Sequence, residues 1–165
     1  MTNMADVSIN GFIHESEQVK VVIKSAAEQD FSFTPKVGMK PLKDLINHLA
    51  QIPSLDFGFY KMDIENIEQA QKMEKEFNRE TIDEMLEVFE KGIDRLIEYF
   101  KGMPDNKFLE ENITPCYLKG PPKSWAYYLS DMTRHLAMHK MQLWMYLKLS
   151  GKPVDMMTYY GVESG

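Results

Sequence analysis

Two histidines four residues apart, His135 and His139, stand in the stretch His135-Leu136-Ala137-Met138-His139. On a helix that spacing puts both imidazoles on one face, one turn above the other. A neutral imidazole is a borderline-soft ligand suited to zinc, nickel, iron or copper, so one helix offers two nitrogens to one ion. A third histidine, His48, lies among apolar neighbours in Leu45-Ile46-Asn47-His48-Leu49. A third ligand from a facing helix would close the set and leave positions for water or substrate. The expectation is a divalent metal site of His48, His135 and His139. The competing reading is three half-buried core histidines, each satisfied by a carbonyl. That reading must pair two polar nitrogens on every ring, a demanding requirement in a core. The fourth histidine, His14, falls off its apolar stripe and reads as a surface residue.

Metal-bound histidines usually donate the other ring nitrogen to a carboxylate or carbonyl. Asp131, four before His135, and Asp44, four before His48, are candidates for that role. Asp44 equally suits the first turn of a helix through the macrodipole. Gln142, three beyond His139, either faces the site or bonds to a loop.

The elements that must position these rings are helical. Phe12 to about Asp30 carries one apolar stripe through Phe12, Val19, Ile23, Ala26 and Ala27, with strand as the alternative for the β-branched run 19–23. Pro41 suits the first turn of a second helix whose stripe is Leu42, Leu45, Leu49 and Ile52, with His48 on the same side. Pro53 is expected to end or kink it, leaving 54–60 as a loop or short turn. The charged segment 63–77 reads as helical in part, and the acidic run around Glu65 to Glu80 as a solvated face. The clearest helix follows Thr81-Ile82-Asp83-Glu84, which has capping-box spacing; its apolar residues recur at three and four until Gly102 and Pro104 close it. Residues 105–122, with Pro115, Pro121 and Pro122, read as a long crossing loop of the kind that often lines a site. The last long helix runs from about Ser124 to Ser150, before Gly151 and Pro153. Four long apolar stripes without a convincing strand set predict an all-α four-helix bundle, one domain over 1–165, with a long connection before the last long helix.

The chain has 165 residues, 44% of them hydrophobic and 27% charged, which suits a globular domain able to bury its own core. A net charge of −6 with no basic cluster argues against nucleic acid and against an anionic membrane surface. No run approaches the ~18 apolar residues of a membrane span. One cysteine, Cys116, cannot form an internal disulfide, and the first ten residues lack a basic region followed by an apolar core. A cytoplasmic location is expected. Cys116 also lacks a fixed basic neighbour in sequence and reads as a small buried hydrophobe rather than a nucleophile. The thirteen methionines read as flexible core filler. Trp125, Tyr127, Tyr128, Trp144 and Tyr146 read mostly as packing, with a cleft-lining role open for some.

The wider pattern adds to this reading. His135-x-x-x-His139-Lys140-x-Gln142-Leu143-x-x-Tyr146-Leu147-Lys148-x-x-Gly151-x-Pro153, followed by Tyr160-Gly161, resembles the signature of the DinB/YfiT-like metal-binding superfamily. Leu45-Ile46-Asn47-His48-Leu49 resembles that family's first ligand site on the second helix. Lys140 and Met141 stand where the family often has Arg and Gly, so the metal set carries over while the subfamily stays open. The resemblance implies a DinB-like four-helix bundle, a homodimer, and a divalent transition metal (Zn, Ni or Fe) held by His48, His135 and His139. Characterised members of the family include transferases for low-molecular-weight thiols and a thiol-dependent isomerase. The implied activity is therefore a metal-dependent thiol S-transferase that joins a small-molecule electrophile to a thiol such as bacillithiol, mycothiol or glutathione. Loop 105–122 and the start of the last helix would shape the electrophile pocket. Two other readings stand beside it: a non-catalytic metal-binding stress-response protein, and a metal-dependent hydrolase. The hydrolase needs a general base near the metal, and no Glu lies within the His135–His139 turn.

Overall fold

The computed structural model describes residues 2–163. Its architecture is a helical bundle, as the stripes predict. Among the described residues the helices are α1 (Met4–Lys24), α2 (Leu42–Tyr60), α3 (Ile67–Phe77), α4 (Ile82–Phe100), α5 (Asp105–Phe108), α6 (Trp125–Leu149) and α7 (Met156–Tyr159). The four long ones pack in a ring, α1 against α6, α6 against α2, α2 against α4 and α4 back against α1. Among the described residues the sole β-type pairing is an isolated bridge between Ile113 and Lys123. No described helix is long and apolar enough to cross a membrane.

One apolar core runs through the ring, with Phe12, Phe89, Phe100, Leu136 and Leu147 fully buried in it. A smaller cluster of Leu55, Ile64 and Ala70 seats α3 against α2. Trp125, Tyr128, Trp144 and Tyr146 are buried packing residues, while Tyr127 is exposed. The methionines depart from the sequence reading. Of those described, Met85 and Met132 lie in the core, whereas Met138, Met141 and Met145 on α6, among others, face outward. Cys116 is also exposed rather than buried.

α1 starts eight residues before the expected Phe12 and ends at Lys24, short of Asp30. Asn3 caps it, accepting a hydrogen bond from the Asp6 backbone N–H at 2.7 Å. Ala5 and Ile9 extend the buried stripe backward from Phe12. The β-branched run 19–23 is helical, because Val19, Val22 and Ile23 are the residues that α1 buries. Thr81 and Glu84 form the expected reciprocal capping box of α4, and Ser124 caps α6, accepting from the Tyr127 N–H.

α2 overturns the expected break at Pro53. The helix continues to Tyr60, so residues 54–60 are helix and not loop. An interior proline costs about 3 kcal/mol. Ile52, Leu55 and Tyr60 are all buried around it, and each contributes roughly 1.5–3 kcal/mol of burial, so packing wins. Gly92 on α4 lets the two helices close at this point. A β-carbon there would lie 2.8 Å from both Pro53 Cβ and Ser54 Oγ.

The connection before α6 is not structureless. It contains α5, which buries Phe108, and its later part is fastened by the two backbone hydrogen bonds between Ile113 and Lys123. On the far side of α6, Lys140 is buried, with its Nζ 2.8 Å from Glu15 Oε1 and 2.5 Å from Gln18 Oε1. The same ammonium lies 4.0 Å from the ring centre of Tyr159 on α7, which ties the C-terminal turn to α1 and α6.

Candidate metal centre

α2 and α6 run antiparallel where they meet. His48 faces His139, Asp56 faces His135, and Tyr60 faces Asp131, so the numbers rise on one helix as they fall on the other. This pairing brings the three expected histidines together. Their ring centres are 4.6 Å apart for His48–His139, 5.0 Å for His135–His139 and 5.6 Å for His48–His135. One ligand nitrogen from each lies within 4.8 Å of the others, close enough to hold a metal ion. All three side chains are half-buried, whereas His14 is exposed.

Two of the rings have fixed orientations. Nδ1 of His135 is 2.9 Å from Asp56 Oδ2, and Nδ1 of His139 is 2.8 Å from Gln142 Oε1. Both partners are acceptors, so each Nδ1 donates its hydrogen and each Nε2 keeps its lone pair for the centre. Nε2 of His48 faces Nε2 of His139 at 3.1 Å. Two nitrogens that far apart, each about 2.0–2.1 Å from one ion, subtend roughly 95–100° at it. The donor set therefore fits a borderline divalent cation with positions left for other ligands.

The electrostatics agree. Burial pushes the His48 imidazole down to about 4, assisted by charge at His139, Lys40 and His135. His139 is also lowered, mainly by burial, against the opposing bond to Gln142. These two rings are neutral at ordinary pH, as ligands must be. At His135 burial works in the same direction, but the bond to Asp56 outweighs it and raises the net value. Burial raises the Asp56 carboxyl, opposed by His135. One proton on Nδ1, directed at Oδ2, satisfies both groups.

Gln142 takes one of the roles open to it. The carboxylate candidates are corrected. Asp131 bonds instead to Tyr60 Oη at 3.3 Å and pairs with Arg134 at 2.8 Å, and Asp44 is exposed with no bond to His48. The carboxylate that orients one of the three rings is Asp56, hidden in sequence because Pro53 disguises the helix that carries it. Its signal was a spacing of eight from His48, two turns along one face.

A cavity of about 660 Å³ opens on His48 and His135, walled by apolar Ile52, Leu55, Phe59 and Met138, with Tyr60, Tyr117, Asp131 and Arg134 among its polar groups. Tyr117 comes from the connection before α6, and Asp131 and Arg134 from the first half of that helix. Phe59 and Tyr60, rather than the aromatic residues of α6, supply its other rings. Glu74 of α3, within the charged segment that reads as a solvated face, is half-buried and lines this cavity too. Compared with known proteins, the sequence matches no family model and no curated protein.

Proposed function

We propose that this chain is a DinB-like protein that binds one divalent transition metal through His48, His135 and His139 and uses it to transfer a low-molecular-weight thiol onto a small electrophile. The observation that carries the reading is the triad itself, three imidazoles with two pre-set tautomers, of which His48 and His135 line a largely apolar cavity. A bound divalent cation supplies Lewis acidity, which lowers the pKa of a coordinated thiol.

The chain's own groups account for the rest. Asp56 and Gln142 hold two rings so that Nε2 faces inward. The apolar wall of Ile52, Leu55 and Phe59 takes an apolar electrophile and excludes water from its reacting carbon. The reaction balances as RSH + R′X → RSR′ + HX: the S–H bond breaks, an S–C bond forms, and X leaves with the C–X electron pair. The thiol proton passes to solvent.

Metal-dependent hydrolysis is the second reading, and Glu74 favours it, because its carboxylate-bearing side chain shares the cavity wall with His48. A homodimer belongs to the main proposal. Met138, Met141, Met145 and Leu149 support it as an exposed apolar strip along one face of α6, and sedimentation at micromolar concentration tests it.

The test of function uses purified, metal-loaded protein, a bimane-type halide and a panel of small thiols. Consumption of the halide only when thiol and metal are both present supports transfer. Consumption without thiol favours hydrolysis. Full metal content with no turnover of any kind leaves a metal-binding stress protein.

A further inference from the structure

His48 stands at the junction of two cavities with opposite chemistry. Besides the apolar one, a second of about 420 Å³ shares only His48 and Glu74 with it, and is otherwise walled by polar side chains including Lys40, Asp44, Gln71, Lys75 and Asn78. Its size suits a compact small molecule. Two of its groups are ammonium and two are carboxylate. Among the described residues, Lys40, Lys75, Asp44 and Glu74 form no ion pair within 4.0 Å, although eleven other pairs form across the chain.

The walls are held in place. Tyr146 Oη donates to the Lys40 carbonyl at 3.1 Å, and the Leu42 and Lys43 N–H groups bond back to Phe33 and Phe31. Opposite them, Gln51 Nε2 donates to the Glu74 carbonyl and to Asn78 Oδ1 at 3.2 and 2.8 Å. Lys40 also lies near enough to the triad for its charge to act on His48 and His139.

We propose that this polar cavity seats an amino-acid-like zwitterion, its carboxylate toward Lys40 and Lys75 and its ammonium toward Asp44 and Glu74, with its third functional group reaching the histidine triad. The two co-substrates then approach the triad through separate openings, the ionic one here and the apolar one across His48. The identity of the third group as a thiol rests on the transfer reading above.

Cobalt(II)-loaded protein tests this by direct binding, because thiolate coordination gives a near-ultraviolet charge-transfer band that can be titrated. The probes are cysteine, 3-mercaptopropionate, cysteamine and 2-mercaptoethanol. Replacing both Lys40 and Lys75 by Ala is expected to raise the Kd of cysteine and 3-mercaptopropionate about tenfold, at the upper end for two exposed ion pairs. The Kd of 2-mercaptoethanol should change by less than about twofold in the same variant. Asp44→Asn with Glu74→Gln should weaken cysteine and cysteamine in the same selective way. Weakening of all four thiols alike, or of none, overturns the zwitterion seat while leaving thiol coordination standing. Absence of the band with every thiol removes the transfer reading and this proposal together. All four positions sit at the cavity wall outside the core, and an unchanged thermal midpoint confirms that the variants fold.

Discussion

Asp56 on α2 and His135 on α6, 79 residues apart in sequence, face each other with Oδ2 2.9 Å from Nδ1. The bond fixes which nitrogen of His135 faces the centre. Substitution of an outer partner of this kind costs about 10–100-fold in metal affinity. Asp56→Leu is expected to show that loss in competition with a chromogenic chelator. Asp56→Asn, whose amide oxygen still accepts from Nδ1, should fall between the variant and the wild type. Equal affinity in the Leu variant would mean that the bond orients nothing.

Protons compete at the centre, with a definite sign. The His48 imidazole in the folded, ion-free protein titrates at about 4, below the model-peptide value near 6.5. Between those values the unfolded chain takes up a proton that the folded chain does not. Stability is therefore full above about pH 6.5 and declines as the pH falls toward 4. A single proton bounds this decline at about 1.4 kcal/mol per pH unit, and the partial exposure of His48 keeps it below that bound. Urea unfolding of wild type and His48→Gln across this range should give a difference that shrinks toward acid; a pH-independent difference refutes the assignment.

Gly92 presents two opposing effects. Alanine is better than glycine inside a helix by about 1 kcal/mol. The added β-carbon would lie 2.8 Å from Pro53 Cβ and Ser54 Oγ, and overpacking typically costs about 1–3 kcal/mol. The contact prevails, because the proline ring is rigid. Gly92→Ala should lower the urea midpoint, by up to about 2 kcal/mol in stability. A stabilised variant would show that α2 and α4 can separate freely.

Buried Lys140 pairs at 2.8 Å with Glu15, which is half-buried. Lys140→Met removes one charge and leaves the other without its partner, a change that typically costs about 3–5 kcal/mol. Replacing both residues by Met should restore most of that stability, because two apolar side chains of similar volume leave no unpaired charge behind. Denaturant melts of the two singles and the double close the cycle. A single variant that costs less than about 1 kcal/mol would place the pair in solvent instead.

The parts of this fold that could be read in sequence carry local chemical markers. The Thr81–Glu84 box starts α4, and Ser124 and Gly151 bracket α6, so both long helices were legible to within a residue or two. The three histidines were legible because helical spacing and apolar neighbours put them on inward faces. The start of α1 was not, because Asn10-Gly11 has the composition of a turn and the stripe behind it is thin. Asp56 and the last two turns of α2 were hidden by Pro53, whose local preference is overridden by burial against α4. Lys40 sits in the irregular segment before α2, where no periodicity tells a cavity wall from an ordinary surface.

Because α2 does not break at Pro53, His48 and Asp56 hang from a single rod, eight residues apart on one face. Their separation is set by helical rise, not by the closing of a loop. A deletion or insertion in segment 25–41 leaves the registry between ligand and carboxylate untouched. One extra residue between them would swing Asp56 about 100° around the axis and away from His135. The connection behind the rod can change in length without moving Asp56 relative to His48, and the rod itself tolerates no change in count.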